Sequence, residues 1–277
     1  AMFINESSHN FTVQDSVINT SHALATDFFV ERAVTGGQWN FTNVTGASGK
    51  SIDVGWSSGA NGTLNVMWYV DAFANYSDGR NATNANIIAF DKNNIQHFSA
   101  FTLGAEARMP QQRLLEFKQT NNSVGGTITT YYSNYTIKGV SPEGVEEIFK
   151  SENITTNKFL HYQFGVAGID ACGELNKSNQ LYLLIKNVSS PGTCFNITAN
   201  SIALDCNGYE INYSYSGAVG YGVVSNSSFT TIKNCRIVEG VSIGDGKNAI
   251  YFNSNQGSII NNTIMTIGAL SAGTRFD

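Results

Sequence analysis

Three stretches decide the reading: SIALDCNGYEI (residues 201–211), FTTIKNCRIVEG (residues 229–240) and GSIINNTIMTIG (residues 257–268). Aligning Ile232 with Ile259, Asn234 with Asn261 and Ile237 with Ile264 gives a period of 27 residues. Self-similarity at that spacing marks a stacked repeat in which each unit buries its apolar side chains against the next. Each unit carries β-branched residues, and an Asn precedes the next apolar position. At a coil corner such an Asn can stack and hydrogen-bond along the axis. The first stretch fits less cleanly, because its cysteine sits one place earlier relative to the leading aliphatic residue.

The four cysteines, Cys172, Cys194, Cys206 and Cys235, all lie in the last 106 residues. Four cysteines allow three pairings. Cys172–Cys194 with Cys206–Cys235 is the favoured one. Cys206 and Cys235 are 29 residues apart, about one coil, and stacked strands lie ~4.8 Å apart, a distance a disulfide spans. Each bridge would stabilise by about 3–4 kcal/mol. No Cys-x-x-Cys or Cys/His cluster points to zinc.

The segments NSIALDCNGYEI (residues 200–211), YGVVSNSSFTTIKNCRI (residues 221–237) and AIYFNSNQGSIINNTI (residues 249–264) resemble the right-handed parallel β-helix repeats of the pectin-lyase-like superfamily. The run from Gly220, Gly-Tyr-Gly-Val followed by Thr-Ile-Lys-Asn-Cys-Arg-Ile, is similar to archaeal-type surface proteins. The resemblance implies β-helix coils joined to a sandwich, and it covers about 100 residues. Three or four coils are visible before Asp277, fewer than the family's usual groove needs. The expectation is that the chain is a piece of a longer solenoid or that a neighbouring subunit covers its edge.

Upstream, residues 1–168 read as an antiparallel β-sandwich or jelly roll, concanavalin A-like in texture, followed by a short parallel β-helix over residues 169–277: an all-β protein of two domains. Runs such as GTLNVMWYVDAFA and KFLHYQFGVAG alternate apolar and polar residues with period two, separated by Gly, Asn, Asp and Ser. In the first run Leu64, Val66, Trp68 and Val70 share one face and are expected in the core. A short helix is expected at SPEGVEEIF, with Ser141 as cap, Pro142 at its first position and Glu143 in its first turn.

Charged residues make up 13% of the 277 and the formal charge is −5. With no basic run, nucleic acid is not an expected partner. No apolar stretch reaches the roughly 18 residues that span a bilayer. Asn-x-Ser/Thr acceptors occur 17 times, at Asn5, Asn10, Asn19, Asn40, Asn43, Asn61, Asn75, Asn81, Asn121, Asn134, Asn153, Asn176, Asn187, Asn196, Asn212, Asn226 and Asn261. Together with the cysteines they point to an exported, glycan-bearing protein.

Chemistry is sparse. His9, His22, His97 and His161 lack metal-ligand spacing, and no nucleophile-elbow or phosphate-loop motif is present. Facing carboxylates of the glycosidase kind are not evident. Glu143 to Glu147 lies on the expected helix, and Asp205 and Glu210 fall on opposite faces. The resemblance to lyases would recruit Asp205, Lys233 and Arg236. Calcium could be offered oxygens by Asp91 and Asp245, though both sequences read first as turns, and no cofactor is expected. Trp39 and Tyr76, beside sequons, are the candidate ligand-binding aromatics. The expected function is therefore a non-enzymatic cell-surface protein for adhesion, glycan recognition or envelope structure. The alternatives are a homopolymer of neighbouring subunits joined by strand addition, with residues 5–18 as donor, or a carbohydrate-active enzyme.

Overall fold

The computed structural model describes residues 2–4, 10–20, 26–31, 35–122, 126–241 and 246–277. Its first strands are β1 (Met2–Ile4), β2 (Phe11–Ile18), β3 (Phe28–Val30), β4 (Thr35–Gly46), β5 (Val54–Trp56) and β6 (Asn61–Tyr76). They alternate between two parallel sheets, β1-β3-β5 and β2-β4-β6. Phe28 pairs with Val54, 26 residues on, and Phe11 with Trp39, 28 residues on. The chain is therefore already coiling where antiparallel pairing was expected. Period-two alternation reports that one face is buried; it does not report strand direction. Of the expected donor segment, Phe11–Ile18 pairs on one edge with β4 of its own chain, while residues 5–9 lie outside the described residues.

The antiparallel expectation holds for an insertion between β6 and its next parallel neighbour. It comprises β7 (Asn86–Phe90), β8 (Gln96–Phe101), β9 (Gln112–Asn122), β10 (Gly126–Tyr131), β11 (Tyr135–Val140) and β12 (Glu146–Glu152). Strands β12-β11-β7-β8 form one antiparallel sheet, and the β9–β10 hairpin adds to β6. No helix forms at Ser141. Pro142–Gly144 is a turn in which Ser141 Oγ accepts the N–H groups of Glu143 and Val145. Gly144 sits at φ +85°, which ends any helical path, and Glu146 then pairs with Val140.

From β13 (Lys158–Ile169) the coil resumes: β14 (Gly173–Leu175), β15 (Gln180–Leu184), β16 (Val188–Ser189), β17 (Phe195–Ile197), β18 (Ile202–Asp205), β19 (Glu210–Tyr213), β20 (Tyr221–Ser225), β21 (Thr230–Lys233), β22 (Arg236–Glu239), β23 (Asn248–Phe252), β24 (Gly257–Ile260), β25 (Thr263–Met265) and β26 (Thr274–Phe276). Each turn from β15 on gives one strand to each of three parallel sheets, β13-β15-β18-β21-β24, β16-β19-β22-β25 and β14-β17-β20-β23-β26. The aligned repeat residues are ladder partners: Ile232 with Ile259, and Ile237 with Ile264. The expected boundary at residue 168 falls inside β13. That strand pairs with β6 through Lys158–Phe164 and with β15 through Gly165–Ile169, so one sheet runs across it.

The imperfect first repeat has a local cause. Asp205 and Lys233 are partners, as are Glu210 and Arg236. Four residues, Cys206 to Tyr209, therefore turn the corner where Asn234 and Cys235 alone suffice in the next coil. The two-residue corners put Asn234 and Asn261 in the left-handed region at φ 55° and 52°, which Asn tolerates best after Gly. Asn261 Nδ2 donates to Asn234 Oδ1 at 2.9 Å, and Asn234 Nδ2 donates to Asp205 Oδ1 at 3.0 Å.

Three cores result. Inside the C-terminal coil lie Leu204, Ile211, Val223, Ile232, Ile237 and Ile250. Trp68, Val70 and Tyr162 of the long sheet pack with Ile87, Tyr135 and Ile137 of the antiparallel sheet. Phe28, Trp39, Phe41, Leu64 and Val66 fill the N-terminal coils. Each fully buried aliphatic side chain contributes about 1.5–3 kcal/mol.

Candidate functional site

The two disulfides are Cys172–Cys194 and Cys206–Cys235, with Cα–Cα distances of 4.6 and 4.7 Å. Of the sequon asparagines, Asn10, Asn19, Asn81, Asn134, Asn153, Asn176, Asn187, Asn226 and Asn261 are exposed. Asn40, Asn43, Asn61, Asn75, Asn196 and Asn212 are half-buried, and Asn5 lies outside the described residues. Asn121 is buried and its Nδ2 donates to Ala60 O at 3.1 Å, so the fold leaves no room for a glycan there.

Neither candidate aromatic presents a binding surface. Trp39 lies within β4, is 0% exposed and packs against Phe28 and Trp56. Tyr76 ends β6 and is buried. Each stands beside a sequon, but long strands carry sequons on their outward positions while the aromatic faces in.

Tyr76 instead joins a polar network. Its hydroxyl donates to Glu143 Oε2, and burial followed by that carboxylate pushes its pKa far up. Glu143 Oε1 and Asp205 Oδ2 receive Lys233 Nζ at 3.2 and 3.4 Å. The network pins the turn before β12 onto the outer face of β18 and β21. The lyase-like trio is thereby divided. Lys233 bridges two carboxylates, while Arg236 lies on the next sheet and pairs with Glu210. Beside the network, a groove of about 260 Å³ is lined by Gly144, Glu146, Phe229, Thr231, Gln256 and Ser258.

The turn reading wins at Asp91. Its Oδ1 accepts the N–H groups of Asn93 and Ile95, and its Oδ2 faces His97 Nε2 at 3.2 Å. Burial pushes the Asp91 carboxyl up, but the Ile95 N–H, the His97 bond and the Asn93 N–H outweigh it, and the net pKa is lowered. Asp245, His9 and His22 lie outside the described residues. His161 Nε2 meets Asn75 Oδ1 at 2.9 Å. Among the described residues no three His, Cys, Asp or Glu side chains gather as metal ligands, and no helix is long and apolar enough to cross a membrane.

A site that sequence reasoning passed over lies on β9. Val66 pairs with Phe117 and Met67 with Leu115. Glu116 is thus the extra residue of a β-bulge, a device that re-aims a side chain. It is only 6% exposed, and Trp68 Nε1 donates to its Oε2 at 2.6 Å. Burial lifts Glu116 above the usual carboxylate range, and the Trp68 bond pulls it part of the way back. Three residues further along β9, Trp56 Nε1 donates to Gln119 Oε1 at 2.6 Å and Gln119 Nε2 to Thr129 Oγ1 at 3.1 Å. Glu116, Gln119 and Thr129 line a cavity of about 250 Å³ with Ser51, Asp53 and Tyr131. The signal in the sequence is the broken alternation of LLEF, where Leu114 and Phe117 both face the core three positions apart.

Compared with protein-family models, curated proteins and solved structures, the chain matches none of them.

Proposed function

We propose that this chain is an extracellular, N-glycosylated and non-enzymatic surface protein, a disulfide-stapled coil serving adhesion, glycan recognition or envelope structure. The observation that carries the reading is the pair of disulfides, each joining adjacent coils. Such bonds persist in oxidising surroundings outside the cytosol. Sequons on exposed turns supply the second support. A right-handed, pectin-lyase-like coil of the archaeal surface type is the finer form of the same reading. The internally matched Lys233 network favours a structural over a lyase-like use of Asp205 and Lys233.

The test is the mass of native material, with and without reductant, followed by peptide mapping. Glycans on exposed sequons, none on Asn121 and no free thiol support the reading. Native protein carrying free thiols and bare sequons would sink it. A self-assembling subunit is the second reading. It is favoured by the exposed Phe101, Ile128 and Ile148 on β8, β10 and β12, each of which pairs with one neighbour among the described strands. Ordered polymers of native protein in electron micrographs would select it.

A further inference from the structure

We propose that the cavity at the Glu116 bulge binds a small ligand carrying a protonated amine. The inference does not depend on where the protein resides. Glu116 is more than nine-tenths buried, yet the described residues supply one donor to its carboxylate, the Trp68 indole on Oε2, and none to Oε1. Oε1 is not sealed in the protein interior: it opens on the cavity, where an incoming N–H can reach it. The lining fixes the sign of the charge. Asp53 adds a second carboxylate, and among the described residues no Lys, Arg or His lines the cavity. An anion is therefore repelled, and a charge-assisted bond from an ammonium is the strongest contact available.

The remaining wall suits the same cation. Tyr131 is 57% exposed at the rim and its ring packs 5.7 Å from that of Phe117. An aromatic face at the mouth of an acidic cavity attracts an ammonium further. Gln119 and Thr129 are already bonded to each other and to Trp56, so they form a rigid shelf. At about 250 Å³ the space holds one small molecule rather than a drug-sized one. A bulge that turns a carboxylate out of the strand's alternation, two indoles holding its neighbourhood, and an uncompensated acidic lining together describe a receptor for a cation.

The probes are glucosamine and N-acetylglucosamine, which share a sugar ring and differ in the charged amine, with cadaverine as an amine without a sugar. Trp56 and Trp68 are two of the three tryptophans, so intrinsic fluorescence reports occupancy, and calorimetry checks it independently. Glucosamine and cadaverine should bind, and N-acetylglucosamine should bind at least about tenfold more weakly, one charge-assisted bond being worth about that. Glu116→Gln, which keeps an acceptor for Trp68, should cost about tenfold or more. Tyr131→Ala, at an exposed position, should cost about two- to fivefold, and Glu106→Gln on a remote turn should cost nothing. Equal binding of the acetylated sugar, no binding of either amine, or unchanged affinity in a folded Glu116→Gln protein would each overturn the proposal. So would calcium chloride alone reproducing the fluorescence change and displacing the amines.

Discussion

Removing the Cys206–Cys235 bridge by a double Cys→Ala substitution tests the coil stacking most directly. The bond closes a loop across a sequence separation of 29. The loop-closure relation gives about 12 cal/mol/K, or about 3.6 kcal/mol at room temperature. Both sulfurs are buried in the C-terminal core, and two sulfur-sized voids add about 1 kcal/mol. The loss should therefore be about 4–5 kcal/mol, which for a chain of this size lowers the melting temperature by about 10–18 °C. The companion bridge spans 22 residues, is worth about 3.4 kcal/mol by the same relation, and has Cys172 partly exposed, so its void contribution is smaller. Denaturant titration of the two double variants, beside the reduced wild type, measures both. A loss below about 1 kcal/mol at Cys206–Cys235, or the reverse order of the two bridges, would refute the claim that loop closure and burial set what each bridge contributes.

The ion pair of Lys247 with Glu239, 3.5 Å apart with both side chains fully buried, predicts that Lys247→Met costs about 3 kcal/mol by stranding a charge. Adding Glu239→Gln should recover part of that cost, and a double-mutant cycle by urea melts checks it. Recovery is partial because Glu239 also holds the N–H groups of Ile267 and Gly268 in the next coil. Glu116, whose pKa is raised by burial, stabilises the fold in its protonated form, and that contribution is lost as pH rises through the raised value. The stability of Glu116→Gln relative to wild type should therefore grow with pH; a difference that is flat or falls with pH would contradict the burial. Gly220→Ala would place a Cβ 2.4 Å from the backbone carbon of Gly192. Because backbone cannot rotate away, a loss of about 3 kcal/mol or failure to fold is expected in thermal melts.

Much of the C-terminal coil was legible in the residues alone. A repeat places like residues at stacked positions, so one alignment specified the Ile232–Ile259 and Ile237–Ile264 ladders, the Asn corner and the disulfide one coil long. The inward face of β6 was equally legible from parity, and Leu64, Val66, Trp68 and Val70 are all buried. Both signals are local: they depend on the spacing of residues along a single strand or between copies of one unit.

What surrounds each strand was decided only in three dimensions. Alternation is the same for a strand in a coil and a strand in a sandwich, so the parallel pairing of β2, β4 and β6 carried no local mark. Neither did the branching of β6, which holds β4 along Asn61–Met67 and β13 along Val70–Tyr76. Trp39 and Tyr76 were placed by sequons beside them, whereas their burial was set by which sheets close over them. Glu116 shows the same limit most sharply. A bulge exists only relative to a partner strand, and its partner, β6, lies about 50 residues earlier in the chain. Sequence by itself determined an all-β chain with a stacked, stapled end; the pairing of distant strands determined where its buried carboxylate points, because side-chain direction follows register and register is a property of two strands.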